Sequence, residues 1–546
     1  MGMFLNNIVP AERYKTIVRT RFFVDKTLMI AEMISSSSVD GQRYFCITRP
    51  RRFGKSVMAD MIAAFFGRTA KSGSVFQNLN ILRAENYQSN ISKDHILEYF
   101  NKYDMIYIDF SEVPEKCSSY DEYITRILEG LRADLREAFP EFISNRKSVW
   151  DIMTDIFQKT KQKFVFVMDE WDAIFHMPFI SDKDKQEFLR FLKALLKDKA
   201  YVEIAYMTGV LPIAKYSSGS EINMFKEYDM ATSEVYSEYF GFCGSEVDVL
   251  FEIYLRTTQR PKITRNDLQD WYDGYRTAGG ERLYNPRSIV SALTDNQLKS
   301  YWTGSGPYDE CFYYIKNNVE DIRDDLVLMV SGEGVMAKVR EYAATLSVLN
   351  TRDQIYSAMV VYGLLTYDNE IGEVFIPNRE LMNKFNELLL SNDSLGYVYN
   401  LAKESERMLR ATLGGDTQTM AEVLKYAHDT ESPVFSYNNE IELSAVVNLV
   451  YLSARDRYRV EREDKAGEGY VDFIFYPEHK GDDGIILELK IDSTPEEAIR
   501  QIKDRKYALR FQGKLGEKPK YTGKILAVGI SYSRKTKEHL CKVETL

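Results

Sequence analysis

The stretch that most constrains this chain lies near its start. Tyr44 to Thr48 is an apolar, β-prone run, Val57 to Phe66 is an apolar-rich helical stretch, and between them runs a loop ending Gly54-Lys55-Ser56. Strand, loop and helix in that order form the setting a phosphate cradle requires, because backbone N–H groups at a helix N-terminus face anionic oxygens. Lys55 is placed to reach the β and γ phosphates of a nucleotide and Ser56 to ligate Mg²⁺, with Arg51, Arg52, Phe53 and Gly54 completing the loop. The usual pattern asks for glycine where this chain has Arg49, so the loop must begin its turn without that backbone freedom.

A site of this kind also needs carboxylates. Lys163-Phe-Val-Phe-Val-Met-Asp169-Glu170 is an apolar strand ending in two acids. The expectation is that it lies beside the loop strand, with Asp169 near the Mg²⁺ shell and Glu170 able to polarise an attacking water. A third strand, Tyr201 to Met207, ends at Thr208-Gly209, and Thr208 is expected to contact the γ phosphate or the water. A buried strand with an acidic turn, and a Thr-Gly pair that simply ends a strand, are the plainer alternatives.

A second cluster lies near the other end. Gly469 to Tyr476 alternates as a strand, Pro477 to Gly484 supplies a polar turn, and Gly484 to Ile491 reads as the next strand. The two-residue period puts Glu488 and Lys490 on one face and Leu487, Leu489 and Ile491 on the other. Paired as a hairpin, the strands bring Asp472 beside Glu488. Two carboxylates and an ammonium on one sheet face are costly unless something binds them, and a hard cation such as Mg²⁺ or Mn²⁺ resolves the conflict. Such a cation lowers the pKa of a bound water, while Lys490 positions that water or offsets developing charge. Surface strands also carry Glu-x-Lys with no such role.

Composition narrows the classes further. A chain of 546 residues exceeds one ordinary core and implies two to four domains, and 45% hydrophobic with 28% charged residues excludes a disordered chain. Its five cysteines contain no CxxC pair and its five histidines do not cluster, so neither a disulfide framework nor a zinc site is expected. The first residues lack a basic segment followed by a long apolar run, Asn6 stands where a myristoylation motif wants Ser or Thr, and no stretch reaches the length of a membrane span. A cytoplasmic protein without a membrane partner is the expectation. The net charge is -10, yet Arg500 to Leu546 holds 13 Lys/Arg against 4 Asp/Glu, a local surplus suited to capturing phosphates.

Between the clusters, residues 240–400 read as amphipathic helices broken by turns such as Ala278-Gly279-Gly280 and Gly304 to Pro307, which fits a helical lid or winged-helix-like region. Tyr397 to His428 reads as helical with a break at Gly414-Gly415.

In order along the chain, the motifs resemble those of the AAA-ATPase-like proteins of bacteria and archaea that carry a C-terminal nuclease-superfamily domain. The resemblance rests on Phe23-Val24-Asp25-Lys26-Thr27, Arg49 to Ser56, Asp169-Glu170-Trp171-Asp172 and Thr208-Gly209-Val210. It continues through Trp271 to Tyr275, Tyr284-Asn285-Pro286 and Tyr301-Trp302. That family's loop typically reads RPRRFGKS, so Arg49 conforms to it. Trp171 stands where tyrosine is more usual, and Arg287 where the family often has tryptophan. Asp472, Glu488 and Lys490 resemble the D…(D/E)-x-K set of the PD-(D/E)xK nuclease superfamily. By the same resemblance, Glu442 on a helix over Ile441 to Ser453 stands where related families place an auxiliary metal-binding acid, and Gln501 with Tyr507 resembles the glutamine and tyrosine of the RecB-like branch.

The resemblance implies an α/β protein in three parts. Residues 1–240 form a P-loop ATPase of the ASCE/AAA-like kind with a parallel sheet, 241–400 a mainly helical lid, and 401–546 a restriction-endonuclease-like domain with a helical connector. ATP and Mg²⁺, with Mn²⁺ an option at the nuclease site, are the implied cofactors, and DNA is the implied nucleic-acid partner. ATPases of this broad class often complete their sites with an arginine from a neighbour, which makes a homo-oligomer the expected assembly; Arg51 or Arg52 could instead act in cis. The reading is an ATPase coupled to a metal-dependent DNA endonuclease. The alternatives are a nucleotide-gated nucleic-acid-binding or regulatory protein with an inactive nuclease-like domain, and a plain ATPase whose last domain serves assembly.

Overall fold

In the computed structural model the described residues are 2–84, 87, 91–142, 148–213, 223–302, 319–339, 351–391, 397–429, 440–466, 469–479, 481–512 and 523–546. The turn expected at Gly304 to Pro307 and the stretch 513–522 of the basic tail lie outside them. Contacts divide the chain into two compact units, Met1–Pro307 with Met336–Glu380, and Tyr308–Val335 with Leu381–Leu546.

The first unit is built on a five-stranded sheet of β1 (Tyr44–Thr48), β2 (Asp104–Asp109), β3 (Phe164–Asp169), β4 (Val202–Gly209) and β5 (Lys226–Tyr228). All its pairs are parallel, in the order β2-β3-β4-β1-β5. The expected neighbour of the loop strand is therefore corrected. β3, with its two acids, does not pair with β1; β4 lies between them, in register from Tyr44 opposite Ala205 to Thr48 opposite Gly209. β4 is buried along its whole length, and only a central strand covered on both faces tolerates eight consecutive buried residues.

Side chains alternate between two cores, as a strand's period demands. Cys46, Ile106, Phe166 and Met207 face helices 120–138, 149–160 and 182–196. Phe45, Tyr107, Val167 and Tyr206 face α1 (Val9–Val18), α2 (Leu28–Ser38) and α3 (Lys55–Phe66). α3 starts at Lys55, earlier than the apolar run suggests, because left-handed Gly54 (φ 89°) turns the chain into the helix. A separate small core gathers Phe22, Phe242, Val247, Leu250, Leu268 and Ile289 around helices 244–257 and 265–272 and α4 (Pro286–Asp295).

The second unit carries a mixed sheet, β6 (Tyr458–Ala466), β7 (Gly469–Pro477), β8 (Gly484–Ile491), β9 (Ile525–Tyr532) and β10 (His539–Thr545), in sequential order. β8 and β9 run parallel, and the other neighbours are antiparallel. The crossover between β8 and β9 contains α6 (Pro495–Asp504), which packs Ile499 and Ile502 on the Ile474, Tyr476 and Ile486 face. On the opposite face Phe473 and Phe475 meet Arg462 and Tyr451, beside α5 (Glu440–Val450). The connector forms two helices, Tyr397–Gly414 and Thr417–Asp429, separated at left-handed Gly415.

Arg49, standing where a glycine was awaited, is buried and structural. It donates through Nη1 to the carbonyls of Thr48 at 2.8 Å and Tyr228 at 2.6 Å, and lies over the Phe240 ring at 5.0 Å. Burial lowers its pKa to about 10. The left-handed turns of the loop come instead at Arg52 (φ 68°) and Gly54. Arg49→Met strips donors from two buried carbonyls and is expected to destabilise the first unit by about 2–4 kcal/mol. Urea denaturation curves matching those of the unsubstituted protein would contradict this.

Candidate functional site

The residues expected to hold a nucleotide surround a cavity of about 790 Å³ in the first unit. Arg51, Arg52, Phe53, Gly54, Lys55, Ser56 and Glu170 line it, and Arg287 contributes from α4. The N-terminus of α3 has no side-chain cap, so its first amides are available to an anion. Lys55 is buried and donates to the carbonyls of Arg49 and Pro50, each at 3.2 Å. An ammonium hydrogen-bonded to neutral carbonyls gains by charge-assisted bonds to phosphate oxygens. A nucleotide triphosphate therefore fits the donor set.

Asp169 and Thr208 sit at the tips of β3 and β4, buried, and neither lines the cavity. Burial, then the adjacent Glu170, push Asp169 up to about 7, against the hydrogen bond from Ser56 and the charge of Lys55. Ser56 and Asp169 are the pair through which a divalent cation would be held, and a cation would offset the cost of ionising Asp169. Glu170 occupies a left-handed conformation (φ 48°) just past β3; burial raises its pKa while Lys55 opposes the rise.

Asp172, a position with no role assigned from sequence, ties this acidic turn to the tip of β4. Its Oδ2 accepts from the N–H groups of Val210 at 3.0 Å and Leu211 at 2.8 Å. Trp171 adds backbone N–H to Thr208 O at 3.0 Å and indole Nε1 to Leu211 O at 3.2 Å. The departure from tyrosine at Trp171 is thus absorbed as a packing bolt. A Cβ on Gly209 would stand 2.4 Å from both Asp172 Oδ1 and Trp171 Cδ1, which is why that tip must be glycine. The signal for Asp172 was present as a second acid two residues beyond Glu170; its partners became visible only with β4 in place.

In the second unit the β7–β8 register places Phe473 opposite Leu487, so Asp472 falls opposite Glu488, as the hairpin expectation required. Asp472 Oδ2 accepts from the N–H of Leu489 at 2.7 Å. Glu488 is buried, with Lys490 Nζ at 3.6 Å and the Gln501 amide donating to its Oε2 at 2.9 Å, while its Oε1 has no hydrogen bond. Tyr507 anchors Gln501 at 3.4 Å and donates to Tyr470 O at 2.5 Å. Burial, then the neighbouring Asp472, push Glu488 up to about 8 despite Lys490.

Glu442 stands in the first turn of α5, and Ser444 of the same helix accepts from Arg462 at 2.9 Å. Among the described residues no group of three or more His, Cys, Asp or Glu is placed to hold a metal ion. Asp472 and Glu488 alone fit a cation that retains waters and takes further oxygens from a substrate phosphate, as Mg²⁺ does. The bare Oε1 of Glu488 is the vacant acceptor such a cation would satisfy.

A pH dependence follows for metal-free protein. Because Glu488 titrates at about 8 when folded against an ordinary 4.5, its contribution to stability is present below about 4.5 and lost as pH rises through about 8. Glu488→Gln removes that loss, so its melting temperature should gain on the unsubstituted protein as pH rises across this interval in chelator. Parallel curves would show that Glu488 is not held protonated.

Comparison with known proteins agrees with both halves. Residues 11–218 match the AAA-ATPase_like family, described as "Predicted AAA-ATPase", and 443–539 match PDDEXK_9, described as "PD-(D/E)XK nuclease superfamily". A relative from Azotobacter chroococcum mcd 1, the "Uncharacterized protein in vnfD 5'region", is 25% identical over 293 residues, 52% of this chain and 51% of its own length. The chain thus matches about half of that relative. Among solved structures, the Aeropyrum pernix ORC2 protein in ADPNP-ADP complexes aligns at 11% identity over 65% of this chain and 92% of its own, TM-score 0.30. Cdc6p from Pyrobaculum aerophilum aligns at 10% identity over 66% and 92%, TM-score 0.26. No helix among the described residues is long and apolar enough to cross a membrane. Residues 11–218 thus carry an AAA-ATPase-like domain and residues 443–539 a PD-(D/E)XK nuclease superfamily domain.

Proposed function

We propose that the first unit binds and hydrolyses ATP and that the second is a metal-dependent deoxyribonuclease. The reading rests above all on Glu488, a buried carboxylate with an open oxygen beside Asp472, Lys490 and Gln501. In the first unit Lys55 and the open amides of α3 hold the triphosphate, Ser56 and Asp169 hold Mg²⁺, and Glu170 takes a proton from the attacking water. Thr208 fixes the strand tip against which Glu170 is set. Mg²⁺ neutralises charge on the transferred phosphoryl oxygens when bound.

In the second unit Asp472 and Glu488 present oxygens to the cation, Lys490 offsets charge developing on the scissile phosphate, and Gln501 keeps Glu488 oriented. A bound Mg²⁺ or Mn²⁺ supplies an acidified water at neutral pH. The local surplus of Lys and Arg after Arg500 attracts the nucleic-acid backbone. A homo-oligomer in a reducing, cytoplasmic setting completes the proposal.

Lys55→Ala should abolish nucleotide binding in a fluorescent-nucleotide titration. Glu170→Gln should retain binding and lower turnover about 10²–10⁴-fold; unchanged turnover would remove Glu170 from its role. With Mg²⁺ or Mn²⁺ the purified protein should cut DNA, and Asp472→Ala or Lys490→Ala should each abolish cutting. Cutting that survives both substitutions sinks the nuclease assignment, and salt-sensitive DNA retention without scission points to a binding module.

A further inference from the structure

The phosphate loop is gripped by residues far from it in sequence. Phe53 packs edge-on against Tyr275 at 4.9 Å, and Tyr275 against Trp302 at 6.4 Å. At left-handed Gly363 (φ 78°) a Cβ would stand 2.7 Å from Pro50 Cβ and 3.4 Å from Trp302 Cζ2, so only glycine lets these groups close on the loop. The most specific grip is a hydrogen bond: the indole Nε1–H of Trp302 donates to the backbone carbonyl of Arg51 at 2.9 Å.

Trp302 is in turn held by a buried carboxylate. Its backbone N–H donates to Glu380 Oε1 at 2.5 Å, and the Ser288 hydroxyl donates to Glu380 Oε2 at 2.7 Å. Glu380 is 2% exposed, and burial raises its pKa against the opposing hydrogen bonds from these donors and the Tyr301 N–H. Ser288 lies on α4, whose Pro286, Arg287 and Val290 line the nucleotide cavity. One carboxylate thereby connects two parts of the cavity wall, the loop and α4.

The latch also has a distinctive place in the chain. Glu380 is the last residue of the first unit before the chain enters the second at Leu381, and Trp302 lies shortly before the earlier exit at Tyr308. A phosphate at Lys55 competes for the ammonium with the carbonyls of Arg49 and Pro50, and that stretch of backbone adjoins the Arg51 carbonyl held by Trp302. A ligand moves an equilibrium only through interactions that differ between its states, and the Trp302 bond to the loop is the contact on which such a shift would act.

We propose that Trp302 and Glu380 are positioning residues of a latch through which occupancy of the phosphate loop regulates the chain leading into the nuclease-superfamily unit. The proposal rests on the nucleotide reading above. Trp302→Phe removes the indole donor and keeps an aromatic ring; Glu380→Gln weakens the carboxylate node; Ser288→Ala deletes one hydroxyl donor to it.

The test is hydrogen exchange on the full chain with and without the ATP analogue AMP-PNP and Mg²⁺, beside a nucleotide titration. In the unsubstituted protein nucleotide should slow exchange of 286–302 and of the helix Arg379–Ser391 by about threefold or more. Trp302→Phe and Glu380→Gln should keep binding within about tenfold and lose most of that slowing, with Ser288→Ala between. A merely structural role would lower melting temperature and leave the nucleotide-dependent difference intact, which overturns the latch. Binding without any change over 379–391 in the unsubstituted protein also overturns it. Absence of nucleotide binding in that protein defeats the nucleotide reading itself, and the latch with it.

Discussion

The guanidinium of Arg49 is bound to main-chain carbonyls of β1 and β5, and the phosphate loop springs from that fixed point. Its own N–H donates to Gly209 O at 3.2 Å, which joins the loop's root to the tip of β4 as well. From β4 the connection continues through the Asp172 and Trp171 bolts to Glu170. A buried guanidinium is expensive to maintain; this one ties the end of β1 to β5, and the backbone N–H of the same residue adds the tip of β4. With those ends fixed, Lys55 and Glu170 come to line one cavity.

The second unit sets its chemistry by a related imbalance of opposite sign. Glu488 is buried beside Asp472, and a single ammonium at 3.6 Å does not offset two carboxylates. Gln501 satisfies one oxygen and leaves the other open, while the chain of Gln501, Tyr507 and Tyr470 O prevents Glu488 from turning away to find a partner. The rigidity lies in the strand pairing and in α6; the unmet demand lies at one atom.

The sequence made local features legible and left the order of strands hidden. A two-residue period was enough to put Glu488 and Lys490 on one face, and hairpin register brought in Asp472. The neighbour of β1 was misplaced because an apolar strand states only that it is buried on both faces, and β3 and β4 say this equally. Arg49 could not be recognised as structural while the carbonyl of Tyr228, 179 residues away, had no position. Asp172 and Glu380 escaped for one reason: each acts through backbone or hydroxyl donors from distant segments, and such donors leave no mark in a sequence.

Both sites hold a carboxyl group that burial pushes up, Asp169 to about 7 and Glu488 to about 8. Each stands near a lysine too weakly placed to reverse that rise, Lys55 in one unit and Lys490 in the other. A lysine in full contact would complete an ion pair and close the site to divalent ions. A lysine absent altogether would leave no positive charge for a phosphate oxygen. Under the proposed function, the intermediate placement would leave the carboxylate to a metal and the ammonium to a phosphate, the division of labour phosphoryl chemistry demands. Two unrelated sheets reach it by the same means: burying the acid at a strand tip or mid-strand and admitting the lysine from the same face or the adjoining loop.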